Sequence, residues 1–74
     1  MTEYDLSREL YRKIKLRMDL LQYCMESNYH LSDPDVVSEH IRSVTKFWSV
    51  LDEEDRDYID GARYAIEEKV EWRV

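Results

Sequence analysis

Apolar residues recur every three or four positions along almost the whole chain, and this spacing is the α-helical period. Only one glycine and one proline occur among the 74 residues, too few for the turns of a β-sandwich or barrel. The sequence therefore predicts one small all-α domain, either a three-helix bundle or a helical hairpin with a long first helix. The predicted helices cover residues 4–28, 33–50 and 53–72.

The first predicted helix is the longest and has the widest apolar face. Its length of roughly 37 Å, at 1.5 Å per residue, exceeds that of either other helix. We expect a homodimer or another protein partner to cover the surplus apolar surface, unless the helix frays or bends at one end. The face consists of Leu6, Leu10, Ile14, Met18, Leu21 and Met25, widened by Tyr11, Leu20 and Cys24.

The other two predicted helices begin at capping residues. Asp33 is a suitable N-cap ahead of Pro34, and Asp52 is followed by acidic residues that favour a helix N-terminus. Gly61 lies inside the third helix, where we expect its missing side chain to allow another helix to approach closely. The sequence leaves open whether the second and third helices are separate or form one rod kinked near Asp52.

The charge pattern disfavours general nucleic-acid binding. The net charge is −6, and the acidic residues are concentrated after residue 51. A basic strip on the first helix, formed by Arg8, Arg12 and Lys15, leaves a nucleic-acid-associated accessory role as the alternative, although we expect it to face the acidic start of the third helix. No apolar run is long enough to span a membrane, and the acidic N-terminus is unlike a signal peptide, so we expect a cytoplasmic protein.

The sequence contains no enzyme or metal-site motif. A glycine-rich phosphate loop is excluded by the single glycine, and the acidic run places Ile59 and Ile66 at ligand positions of a calcium loop. His30 and His40 are ten residues apart with no third ligand, and Cys24 is interpreted as a packing residue. We therefore predict a non-enzymatic protein with no catalytic residue, no cofactor and no metal.

Several side chains stand out against the helical pattern. Arg17 projects onto the apolar face, which predicts either an ion pair with the third helix or a dimer partner, or a partner-binding groove. His40 projects onto the apolar face of the second helix. This position predicts either a hydrogen-bonded residue at the edge of the core or a pH-sensitive packing residue. The candidate partner-binding residues are Leu16, Arg17, Tyr23, Tyr64 and Trp72.

The C-terminal part carries a family resemblance. The runs FWSVLDEEDRDYI, from residue 47, and YAIEEKVEW, from residue 64, resemble small uncharacterised proteins encoded by T4-like phages of marine cyanobacteria. The resemblance implies a phage gene product that works in the host cytoplasm. Small phage proteins of this kind often act by binding other proteins, which favours a protein-interaction or regulatory role by association.

Overall fold

The protein is a small all-α domain in which the third helix is central. The computed structural model describes residues 3–72, with side chains from Ser7 onward. The helices pack as a compact body measuring 44 × 20 × 19 Å, with the first and last helices both against the third. The predicted all-α class is confirmed, and no strand occurs in the described range. The helices of that range are α1 (Glu3–Glu26), α2 (Tyr29–Ser32), α3 (Pro34–Thr45) and α4 (Glu53–Glu68).

One apolar core joins the helices. Leu21, Met25, Val37, Val44 and Ile59 are its largest fully buried side chains. Burying each of them stabilises the fold by about 1.5–3 kcal/mol relative to leaving it exposed. The other buried apolar residues are Ile14, Met18, Cys24, Ile41, Leu51, Ala62 and Ala65. The apolar face predicted for the first helix is therefore buried from Ile14 onward.

The start of α1 extends beyond this core. Ser7–Lys13 are exposed apart from the half-buried Leu10, and the first buried side chain is Ile14. Tyr11 and Leu20 were predicted to widen the buried face, but both are exposed. The buried face is narrower than predicted because only α3 and the single turn of α2 pack closely on α1.

The connection between the first two predicted helices contains an additional helical turn. α1 ends at Glu26, and Asn28 adopts a left-handed conformation with φ 55°, which asparagine tolerates better than most residues. α2 then places His30 in the core. Asp33 precedes α3 as predicted, but its side chain makes no capping hydrogen bond. Its N–H instead donates to the Tyr29 carbonyl at 2.8 Å, which ties it to the preceding turn.

The second predicted helix, 33–50, is shorter in the structure and ends at Thr45. Beyond it the chain tightens into turns in which the Phe47 N–H donates to the Val44 carbonyl and the Trp48 N–H to the Thr45 carbonyl. The Thr45 hydroxyl donates to the Ile41 carbonyl at 2.7 Å, a side-chain bond that competes with regular helix. Since α4 starts only after these turns, α3 and α4 are separate helices and not one kinked rod.

The third predicted helix, 53–72, ends at Glu68. Lys69 is left-handed, and the following residues turn back across the molecule. The Trp72 N–H donates to Asn28 Oδ1 at 2.7 Å, and its ring packs edge-on against Tyr58 with centroids 5.2 Å apart. A Cβ on Gly61 would lie 3.2 Å from Cη2 of Trp72. Gly61 therefore allows an indole ring to approach, where the sequence predicted another helix.

This contact predicts that Gly61→Ala has opposite consequences in two backgrounds. With Trp72→Ala already present, the alanine should stabilise the helix by about 1 kcal/mol, because glycine is the poorer helix former. With Trp72 present, the added methyl crowds the ring, and the gain should vanish or reverse. Urea unfolding of the wild type, both single variants and the double variant measures this coupling. Equal effects of Gly61→Ala in both backgrounds would contradict the contact.

The start of α4 gives a second stability prediction. Asp52 Oδ1 accepts the Asp55 N–H at 3.0 Å, which makes Asp52 the N-cap, as the sequence indicated. Asp52→Ala should cost about 1 kcal/mol of unfolding free energy, because it leaves this N–H without its acceptor. Asp52→Asn keeps an acceptor oxygen and should cost clearly less. Equal losses in thermal unfolding would show that the negative charge, and not the hydrogen bond, stabilises the helix start.

Candidate functional site

A groove between α1 and the end of α3 is the most distinctive surface of the described residues. It is open to solvent and has a volume of about 560 Å³, within the size range of small-molecule pockets. Three of its side chains are basic and none is acidic, although the whole chain has a net charge of −6. The residues that line this basic groove are Lys13, Leu16, Arg17, Leu20, Ser43, Lys46 and Phe47.

Two elements form the basic groove. On α1, Lys13 and Arg17 are four residues apart, as are Leu16 and Leu20, so a basic row runs beside an apolar row. On the opposite side, Lys46 and Phe47 follow the last helical residue of α3. Because α3 stops at Thr45, Phe47 is directed toward α1 and packs partly against the core. A helix that continued to residue 50 would place these side chains differently.

Arg17 lines this groove and does not lie within the buried face of α1. It is exposed, and no ion pair connects it to an acid of α4 among the residues that the structure describes. The predicted ion pair with the C-terminal helix is therefore not formed among these residues, and the alternative, an ion pair with a dimer partner, stays a prediction. The buried face is centred on Ile14, Met18 and Leu21, and Arg17 lies at its margin.

Leu16 and Tyr23 are 61% and 71% exposed, on the same side of α1. Leu20 lies between them, and the three follow the i, i+4, i+7 spacing of an interacting helix face. The structure thus brings two of the predicted partner-binding residues, Leu16 and Arg17, into one groove and places Tyr23 further along the same row. Tyr64 does not line this groove.

The outer face of α4 has the opposite charge. Its exposed residues repeat at spacings of three and four, and Tyr64 is 62% exposed in their midst. Asp60 pairs with Arg63 at 3.7 Å, but exposed pairs of this kind contribute little stability. We call this face the acidic stripe; it consists of Glu53, Asp57, Asp60, Tyr64, Glu67 and Glu68.

A basic residue of α1 affects the pKa of a carboxyl group at the N-terminus of α4. Burial raises the pKa of the Asp55 carboxyl, the Asp52 charge raises that pKa further, and Lys15 lowers it. Lys15 is therefore close enough to interact with the start of α4. This effect concerns Lys15 alone, so the expectation that the whole basic strip of the first helix faces the acidic start of the last one stays a prediction.

Two arginines of α4 hold the segment that follows α3. Arg56 and Arg63 both lie over the ring of Trp48, with guanidinium carbons 5.8 and 5.7 Å from its centroid. Arg56 Nε donates to the Trp48 carbonyl at 2.9 Å, and Arg63 Nη2 donates to Thr45 Oγ1 at 2.7 Å. These bonds fix the turn that presents Lys46 to the basic groove. The seven-residue spacing of the arginines was the only sequence signal for this arrangement.

The two histidines have different surroundings. His30 is buried, and its Nε2–H donates to the Val70 carbonyl at 2.8 Å, so it anchors the C-terminal segment. His40 is half-buried, and its Nδ1 has no hydrogen-bond partner among the described residues. The pH-sensitive packing role of His40 stays a prediction. Across the described residues, no three His, Cys, Asp or Glu side chains converge as a metal site would require.

The remaining candidates take part in packing. Trp72 lies outside the helix in which it was predicted, and Tyr58 and Gly61 contact its half-buried ring. Cys24 is buried, and burial raises the pKa of its thiol, which disfavours the reactive thiolate. Burial likewise raises the pKa of the Tyr58 hydroxyl, and the charge of Glu26 raises it further. These groups have the environments of core residues.

The raised pKa of Asp55 predicts a pH-dependent stability difference. Because the pKa in the folded state lies above the ordinary value of 3.8, the folded state binds this proton more tightly than the unfolded state. Asp55 therefore disfavours folding at neutral pH, and the penalty is lost as the pH falls through the folded pKa toward 3.8. Relative to Asp55→Asn, the wild type should gain stability between pH 7 and pH 4.

Urea unfolding at both pH values measures this difference. Asp57→Asn is the control, since it removes the same charge from the exposed face of the same helix. A trend of equal size in the control would show that the total acidic charge, and not the burial of Asp55, is responsible.

Comparison with known proteins adds no identification to this geometry. No protein family, curated protein or solved structure matches the chain. Within residues 3–72, none of the helices has the length and apolar character that a bilayer crossing requires. The basic groove and the acidic stripe therefore have to be interpreted from their own chemistry.

Proposed function

We propose that this chain is a small, non-enzymatic protein-interaction or regulatory protein that self-associates or binds a partner through amphipathic helix faces. The observation that carries the proposal is the row of Leu16, Leu20 and Tyr23 on α1, which remains uncovered beside the core. Uncovered apolar residues at helical spacing, bordered by charge, are typical of surfaces that bind another helix. Such a role needs no catalytic group or cofactor.

The proposed setting is the cytoplasm of a phage-infected host. It is supported by the resemblance of residues 47–72 to proteins of T4-like marine cyanophages, which is an argument by association. The proposed first partner is a second copy of the chain. A chain of 74 residues has a thin core, and association is a common way for so small a domain to cover apolar surface and gain stability.

A nucleic-acid-associated accessory role is the second candidate. It is favoured by the exposure of Arg8, Arg12 and Lys15, the first two of which lie on the part of α1 that extends from the core. The net charge of −6 opposes it, as does the interaction of Lys15 with the start of α4. Binding to single- or double-stranded DNA that weakens steeply with salt would support this candidate, because phosphate contacts release counterions.

Light scattering over a dilution series tests self-association. We expect a molar mass near twice 9.1 kDa that falls toward the monomer on dilution. Leu16→Glu should shift the protein to the monomer, because it places a charge in the apolar row. Val50→Glu is the matched control, since Val50 is also 61% exposed but lies outside the row. A wild type that is monomeric at all concentrations would exclude the self-associating form and leave a different partner.

A further inference from the structure

We propose that the acidic stripe of one copy, with Tyr64 as its central anchor, binds in the basic groove of a second copy. This inference rests on the proposed self-association and specifies which two surfaces meet. A two-fold pair would make the contact twice, since each copy carries one groove and one stripe. Residues predicted separately as partner-binding candidates, Leu16, Arg17 and Tyr64, then belong to a single interface.

Charge complementarity is the first argument. The basic groove presents Lys13, Arg17 and Lys46 with no acid among its lining residues. The acidic stripe presents five carboxylates on one exposed helix face. Opposite potentials on two surfaces of one chain steer copies together and set the register of docking.

Shape and chemistry of the anchors are the second argument. The apolar part of the groove lining, which we call its floor, consists of Leu16, Leu20 and the partly buried Phe47. A phosphate backbone would use the three bases but would leave this floor uncovered. Tyr64 supplies an aromatic side chain in the middle of the acidic stripe, and its 62% exposure leaves the ring available. Aromatic residues surrounded by complementary charge are frequent anchors of protein interfaces.

The same-face contact between two α1 helices fits less well. Such a pairing would bury Leu16 and Leu20 against each other but would bring the Lys13 and Arg17 row of one copy toward that of the other. Like charges across an interface cost binding energy. Docking of the second copy's acidic stripe avoids this repulsion, because the stripe would cover the apolar floor and also neutralise the bases.

Charge reversal in pairs tests the proposal. The groove variant is Lys13→Glu with Lys46→Glu, and the stripe variant is Asp60→Lys with Glu68→Lys, which lie four residues either side of Tyr64. Each variant alone should associate at least about tenfold more weakly than the wild type in light scattering, because each substituted side chain then meets charges of its own sign and two attractive contacts are lost. An equimolar mixture of the two should recover association, since the two reversed positions of one groove then face the two reversed positions of the other copy's stripe with opposite sign.

Two controls distinguish a loss of the groove–stripe contact from an effect of net charge and from misfolding. Arg12→Glu with Arg42→Glu changes the net charge by the same amount at exposed positions outside the groove and should leave association unchanged. Recovery in the mixture itself requires that both variants are folded. Tyr64→Ala should weaken association, and Tyr64→Phe should largely restore it if the ring is the anchor.

The outcomes that overturn the inference are distinct. If the wild type is dimeric and the groove variant associates equally well, self-association uses another surface, so the proposed function stands and this inference is wrong. If the wild type stays monomeric, both the inference and the self-associating form are wrong. If the wild type is monomeric and binds single-stranded DNA through Lys13 and Lys46, the groove serves a polyanion instead.

Discussion

The architecture depends on the point at which α3 ends. α3 is the helix on which both α1 and α4 pack, so its length decides how much of each neighbour is covered. The end is fixed by side chains rather than by a helix-breaking residue: the Thr45 hydroxyl returns to Ile41, and two arginines of α4 hold Trp48 and its carbonyl. Because the chain turns there, Lys46 and Phe47 face α1 and form the basic groove.

Periodic apolar spacing predicted the parts of the fold that are local. The spine of α1 from Ile14 to Met25, the start of α3 at Pro34 and the N-cap at Asp52 could all be predicted, because each depends on residues near in sequence. The early ends of α3 and α4 could not be predicted in this way. Arg56 lies eight residues from the carbonyl that it binds, and Asn28 lies 44 residues from Trp72, so neither bond leaves a local signal.

The candidate site was predicted only in part for the same reason. Exposure of Leu16, Tyr23 and Tyr64 followed from their positions on polar helix faces, and the structure confirms it. The position of Arg17 depended on which neighbours pack against α1. A helical projection gives the angle at which a side chain leaves the helix, but not how wide a face the neighbouring helices cover. Because the covered face of α1 is narrow, Arg17, Tyr11 and Leu20 lie outside the core.

The distribution of charge gives the remaining features a common explanation. The two arginines of α4, Arg56 and Arg63, are engaged with the end of α3, and Arg63 also pairs with Asp60. The other charged residues of the exposed face of α4 are acidic. The bases of α1 are divided, since the charge of Lys15 acts on Asp55 at the start of α4 while Lys13 and Arg17 line the groove. Contacts within the chain therefore engage some of the basic and acidic side chains. The basic groove and the acidic stripe remain exposed, with opposite charge. Two such surfaces on one small chain favour recognition between copies, because each copy supplies what the other lacks.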